Sequence, residues 1–185
     1  GGLGVMATDA LIARGGKLAK LDPITMKALD SILPNYWSRG NPIDVLGDAK
    51  ADRYKAVIEA CLNDENVDSL LVIYTPQAVA DPAEIAKSVV EFCKSGRAYN
   101  KTILTSFMGY EEIEEANRVF SENNIPKYST PEQAVKTCMY MYHYKRNLEL
   151  LYETPEELSV DVFRPKRPLT VILRNAAIEN SEMLT

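Results

Sequence analysis

The sequence predicts an α/β fold in which a mainly parallel sheet is covered by helices on both faces. Two observations predict it. The apolar runs "VDSLLVIYTP" (67–76) and "KTILTSFMG" (101–109) lack polar alternation, the pattern of strands buried on both faces. Segments of helical periodicity alternate with such runs across loops of a few residues, as parallel strands joined by crossover helices require. A length of 185 residues fits one such domain with a full core, or a domain plus a tail.

The first element is "GGLGVMATDALIARG" (1–15), which sets Val5, Met6, Ala10 and Leu11 at helical spacing directly after Gly1-Gly2. That is how a helix begins after a strand, so a first strand is expected upstream of Gly1, and Gly15-Gly16 stops the helix. "KLAKLDP" (17–23) is read as a short strand. Asp22 then caps a helix with Pro23 at its first position, and Pro34 ends it. "GNPIDVLGDAKADRY" (40–54) crowds turn-forming residues around Val45-Leu46 and is read as a very short strand, Ile43 to Leu46, with a turn at Gly47. Asp48 or the residues just after it open a helix in which Tyr54, Val57, Ile58, Cys61 and Leu62 recur at helical spacing.

After the strand at 67–76, Asp81 caps a helix with Pro82 at its first position and Gly96 past its end. After the strand at 101–109, "YEEIEEANRVFSENN" (110–124) is a helix with acidic residues in its first turn, which suits the helix dipole. "IPKYS" (125–129) is a short strand, and a long helix over 130–152 comes next, capped by Thr130. The alternation is that of the flavodoxin-like kind of three-layer fold. The domain is placed at 1–152. The remainder, 153–185, reads as an extended tail, with "LTVIL" (169–173) as an edge strand and "NAAIENSEMLT" as a linker.

Composition excludes several classes. A formal net charge of −5, with basic residues gathered only in "YKRN" (144–147) and "RPKRP" (164–168), argues against a nucleic-acid partner. No apolar run approaches the ~18–20 residues needed to cross a bilayer. No basic stretch followed by an apolar run marks a secretory signal. Cys61, Cys93 and Cys138 are far apart, odd in number and set in helical apolar patterns. They read as reduced core thiols in a cytoplasmic protein, with no metal-ligand spacing.

In an open parallel sheet, ligands bind beyond the carboxyl ends of the strands. Four segments end strands here: Gly1-Gly2, "DVLGDA" (44–49), "YTPQAVADP" (74–82) and "SFMGY" (106–110). Glycines and helix N-termini gathered on one edge suit an anion, either carboxylate or phosphate. The plainer alternative is that these residues only make short turns. Nucleophilic chemistry is hard to find. His143 lies within a helix beside Tyr140, Met141 and Tyr144, and no general base is identifiable near Ser106. The chain has no G-x-S-x-G, Walker A or G-x-G-x-x-G pattern. Glu111, Glu112, Glu114 and Glu115 read as a solvated helix face.

Taken as an ordered set, "GGLGVMATDAL", "GNPIDVLGDAKADRY", "VDSLLVIYTPQAVADPAEIA", "SFMGYEEIEEA" and "IPKYSTPEQAV" resemble the ligase-CoA domain of NDP-forming acyl-CoA (acetate–CoA) synthetases, related to succinyl-CoA synthetase. The resemblance covers Gly1 to Tyr152, and the tail resembles the lead-in to an ATP-grasp domain. It implies a part of a multi-domain ligase that converts acyl-CoA, ADP and phosphate to acid, CoA and ATP through a phosphohistidine. The partners it implies are a CoA-binding domain, the ligase domain bearing the phosphohistidine, and the ATP-grasp domain. CoA, ATP or ADP and Mg belong to the intact enzyme, and none is expected to be bound by this domain alone.

His143 does not match the phosphohistidine motif, so no catalytic residue is assigned in this chain, which is expected to be inactive in isolation. The resemblance carries a phosphate- and carboxylate-binding role onto Thr75, Pro76, Gln77 and Ala78, ahead of the helix at Asp81-Pro82, and onto Ser106 and Gly109. It makes Asn41, Asp44, Gly47, Gly1 and Gly2 a wall of that site. Some relatives place an arginine in the second loop; here it reads Ser106-Phe107-Met108-Gly109, which favours a small monoacid over a diacid. Two other readings stay open: a non-catalytic regulatory or assembly domain of a CoA-binding protein acetyltransferase, and a stand-alone flavin or nucleotide binder.

Overall fold

In the computed structural model, which describes residues 1–77, 79–96, 101–153, 171 and 173–175, strands and helices alternate. The order is α1 (Gly2–Ile12), α2 (Pro23–Ile32), α3 (Ala51–Leu62), β1 (Ser69–Tyr74), α4 (Pro82–Lys94), β2 (Thr102–Phe107), α5 (Glu114–Glu122) and α6 (Pro131–Tyr152). A single 3₁₀ turn, Glu111–Ile113, leads into α5. Gly1–Lys145 forms one unit and Arg146–Thr185 a second.

Local chemistry sets the helix starts. The Asp22 carboxylate accepts from Ile24 N at 2.7 Å and that of Asp81 from Ala83 N at 2.8 Å. In each case proline occupies the first turn, where a missing N–H costs nothing. Thr130 caps α6 through its hydroxyl, which accepts from Gln133 N at 3.4 Å.

β1 and β2 run parallel, with Ser69 opposite Thr102 and Tyr74 opposite Phe107. Beyond β2, Lys127 adds one parallel bridge to Thr105, whose N–H donates to Pro126 O and whose carbonyl accepts from Tyr128 N. The strand expected at 125–129 is thus reduced to that bridge. The main core lies over one face of β1 and β2. Val72, Tyr74, Ile103 and Phe107 meet Ile85, Val89 and Phe92 of α4 and Phe120 of α5 there. Tyr74 and Phe107 rings are 5.1 Å apart, and Phe107 meets Phe120 edge-on at 4.9 Å. A second cluster joins Leu29, Leu33, Trp37, Val57 and Cys61; a third joins Ala7 of α1 to Val135 and Met139 of α6, with Leu71 and Ile73 against it.

Four expectations about strands need correction. Residues 17–23 contain no strand, and neither does 43–46. An extended segment becomes a strand only when a neighbour takes its ladder hydrogen bonds, and among the described residues the sheet contains β1 and β2 alone. The 43–46 segment is shaped locally instead: Asp44 Oδ1 accepts from Leu46 N at 2.9 Å, and Leu46 has φ +69°. β1 is also not covered on both faces as expected, since Leu70, Leu71 and Ile73 are only half-buried. In the second unit, Val171, Leu173, Arg174 and Asn175 are helical, which overturns an edge strand there; the rest of the expected tail lies outside the described residues.

All three cysteines are free. Cys61 is buried and its thiol is pushed up to about 12 by burial, while Cys93 and Cys138 are half-buried. No helix among the described residues is long and apolar enough to cross a membrane.

Candidate functional site

The chain leaves β1 at Tyr74, and that residue holds the loops on either side of it. Its hydroxyl donates to Ala80 O at 3.1 Å, closing the Thr75–Ala80 loop. Its carbonyl accepts from Met108 N at 2.9 Å, which ties the loop after β2 to the loop after β1. Burial pushes the phenol pKa up from a value already well above neutral. Sequence reasoning missed Tyr74. The available signal was a tyrosine ending an apolar run directly before Thr-Pro, since a buried phenol requires a partner.

The loops after the strands converge. A Cβ on Gly109 would stand 2.9 Å from Pro76 Cγ and 3.2 Å from Ile113 Cγ2, and Gly109 has φ +153°. Both the backbone angle and the close approach require glycine there. A Cβ on Gly47 would stand 3.4 Å from Gln77 Oε1, and one on Gly1 would stand 3.5 Å from Asp44 Oδ2. Thr75, Pro76 and Gln77 are thus neighbours of Gly47 on one side and Gly109 on the other. The loops at 44–48, 75–77 and 106–109 share one edge.

The other expected site residues are less uniformly placed. Asp44 Oδ2 lies 2.7 Å from Gly1 N, and its Oδ1 accepts from Leu46 N. Gly2 has open space where a side chain would begin. Asn41 Nδ2 donates to Ala19 O at 2.9 Å. Ala78 lies outside the described residues.

Among the described residues two buried side-chain oxygens lack a hydrogen-bond partner, Gln77 Oε1 in the loop after β1 and Ser106 Oγ inside β2. Buried polar groups are almost always paired, so each calls for a partner such as water, an ion or a ligand. A side-chain amide can present its NH₂ where its oxygen lies by a half-turn, so Gln77 can meet a donor or an acceptor there. A hydroxyl likewise donates or accepts. The helix end contributes less. Pro82 has no N–H and the Ala83 N–H already serves Asp81, so the first free donor in the turn of α4 is deeper than the sequence suggests.

Other groups serve structure. Asp64 is buried. Burial alone would raise its pKa, but its oxygens accept from Asp22 N at 2.8 Å and Asn66 N at 2.9 Å, and the net shift is downward. Lys101 Nζ donates to the Asp64 backbone carbonyl. Tyr54 is pushed up to about 12 by burial. His143 lies on an exposed face of α6, its ring 5.4 Å from that of Tyr142. Glu111, Glu112, Glu114 and Glu115 are exposed, as expected. Among the described residues, no group of three or more His, Cys, Asp or Glu could hold a metal ion.

Residues 1–152 match the ligase-CoA domain family. The chain belongs to that family. It is 35% identical over 166 residues to the ADP-forming acetate–CoA ligase I of Archaeoglobus fulgidus, covering 90% of this chain and 23% of that protein. It is 41% identical over 145 residues to the ADP-forming acetate–CoA ligase of Methanocaldococcus jannaschii, covering 78% of this chain and 21% of that one. The dinucleotide-forming acetyl-coenzyme A synthetase 1 of Ca. Korarchaeum cryptofilum, solved with phosphate and ADP, superposes with a TM-score of 0.72 at 32% identity. That superposition covers 78% of this chain and 31% of the solved one. The ligase-CoA chain thus spans roughly a fifth to a third of these relatives, and their flavodoxin-like α/β fold is its own.

Proposed function

We propose that this ligase-CoA domain is one part of an NDP-forming acyl-CoA ligase, in which acyl-CoA, ADP and phosphate yield acid, CoA and ATP. Its part is to supply the edge formed by Thr75–Ala78 and Ser106–Gly109, with Asp44, Gly47, Gly1 and Gly2 as a wall. The observation that carries this reading is the convergence of the strand-end loops, Gly109 on Pro76 and Gly47 on Gln77, where Gln77 has an unpartnered buried oxygen; Ser106, inside β2, has another. Those groups suit the oxygens of a carboxylate or a phosphoryl group. Asn41, whose Nδ2 donates to Ala19 O, belongs to the same wall.

CoA, the nucleotide and magnesium are assigned to the partner domains: a CoA-binding domain, a ligase domain bearing the phosphohistidine, and an ATP-grasp domain. Matches to acetate–CoA ligases, and a second loop with no arginine, support a small monoacid as the substrate.

The test is ATP formation from acetyl-CoA, ADP and phosphate. The isolated chain should give none. Adding the separate CoA-binding, phosphohistidine and ATP-grasp domains should restore it, and Gln77→Ala should reduce the restored rate by about tenfold or more. Turnover by the isolated chain, or a restored rate indifferent to Gln77→Ala, would contradict the assignment.

A further inference from the structure

Tyr74 ends β1. Asp68 O accepts from Thr102 N at 3.2 Å and Tyr74 O accepts from Met108 N at 2.9 Å. Hydrogen-bonding direction alternates along a strand, so Asp68, Leu70, Val72 and Tyr74 turn their backbone groups toward β2, while Ser69, Leu71 and Ile73 turn theirs to the outer edge. The Tyr74 ring is buried, 5.1 Å from the Phe107 ring and 6.4 Å from that of Tyr54. Phe107, opposite it in register, fills the same layer with no hydroxyl. Packing alone therefore does not call for a phenol at position 74.

The hydroxyl serves the loop that leaves the strand. It donates to Ala80 O at 3.1 Å. Burial pushes its pKa up, and a hydrogen bond from the Gln77 backbone N–H acts against that shift. One oxygen thus engages the backbone at both Gln77 and Ala80.

Gln77 is confined on its other side as well. A Cβ on Gly47 would stand 3.4 Å from Gln77 Oε1, and one on Gly109 would stand 2.9 Å from Pro76 Cγ. Residues 76 and 77 therefore lie against the two glycine turns, and Gln77 Oε1 is buried with no partner among the described residues. A polar group presented to a ligand needs supporting hydrogen bonds that lock its own position.

We propose that Tyr74 is the positioning residue of this edge: its hydroxyl fixes the backbone at Gln77 and Ala80 and so sets the Gln77 amide toward an incoming carboxylate or phosphoryl oxygen. Tyr74 acts through Gln77 and does not itself meet the substrate, a role that rests on the function proposed above for the edge.

Tyr74→Phe removes the hydroxyl and keeps the ring, so the core stays packed. In the ligase reassembled with its partner domains, the rate of ATP formation from acetyl-CoA, ADP and phosphate should fall at least about fivefold. In a Gln77→Ala background the same substitution should change the rate less than about twofold, because the group that Tyr74 positions is gone. A residue that merely stabilised the fold would lower the rate by the same factor in both backgrounds, and that result would overturn the proposal. A rate sensitive to Gln77→Ala but not to Tyr74→Phe would overturn it alone. A rate indifferent to Gln77→Ala would overturn it together with the function proposed for the edge.

Amide exchange in this chain gives a readout that needs no turnover. The Gln77 amide should exchange at least about tenfold faster in Tyr74→Phe, while the Val72 and Leu104 amides of the paired strands keep their rates. Unchanged exchange at Gln77 would show that another group holds it. Equal acceleration at Val72 and Leu104 would show a general loosening. Either result would overturn the proposal.

Discussion

The inner edge of β1 and its outer edge were built from the same strand with opposite results. Toward β2 every ladder position is paired, and Val72 and Tyr74 are sealed beneath α4 and α5. Away from β2 no strand pairs with it among the described residues, and Leu71 and Ile73 pack against the small cluster of Ala7, Val135 and Met139 with Ala10 and Leu11. Helices form on both sides, because a cap and an apolar stripe are local properties. Among the described residues strands form on the inner side alone, because a strand depends on a neighbour that local sequence cannot provide.

The largest test of this contrast is Phe120→Ala. Phe120 is fully buried and packs edge-on against Phe107. The loss should be about 3–5 kcal/mol by urea unfolding. A cost under about 1 kcal/mol would mean the inner side is not the sealed half.

Asp64→Ala should cost about 2 kcal/mol, since it strands the Asp22 and Asn66 amides. Because the folded Asp64 pKa is lowered, its contribution is present above the unfolded value of about 3.9 and is lost as pH falls through the folded value. Wild-type stability should therefore drop below about pH 4 more steeply than that of Asp64→Asn. Equal slopes would show that Asp64 contributes nothing to the acid lability.

Asp81→Ala removes the cap of α4 and should cost about 1 kcal/mol. It also frees the Ala83 N–H at the loop edge, so binding of phosphate or acetate to the assembled ligase should not weaken. Leu71→Ala, on the open side, should cost under about 1 kcal/mol, because Leu71 is half-buried and lines the cavity beside β1. A cost equal to that of a core leucine would show the outer side already filled.

Legibility divides along the same line. Asp22-Pro23 and Asp81-Pro82 announced their helices correctly because each carboxylate acts on the amide two residues along. The runs at 69–74 and 102–107 were readable because each is a short stretch without charged residues, although both faces are buried in β2 and only one in β1. "KLAKL" and "IDVL" carry strand patterns as well, but no neighbour pairs with them among the described residues. The meeting of Gly47 with Gln77 and of Gly109 with Pro76 was expected from the rule that strand ends share an edge. The roles of Tyr74 and Asn41 were not, because each depends on a partner distant from any motif, Ala80 O or Ala19 O.

Amide exchange along Ser69–Tyr74 in the unmodified chain tests the difference between the two edges most directly. The amides of Leu70, Val72 and Tyr74 should be protected at least about a hundredfold more than those of Leu71 and Ile73, giving an alternating pattern. Uniform protection along the strand would show that the outer edge is already paired and would contradict the contrast between the two edges.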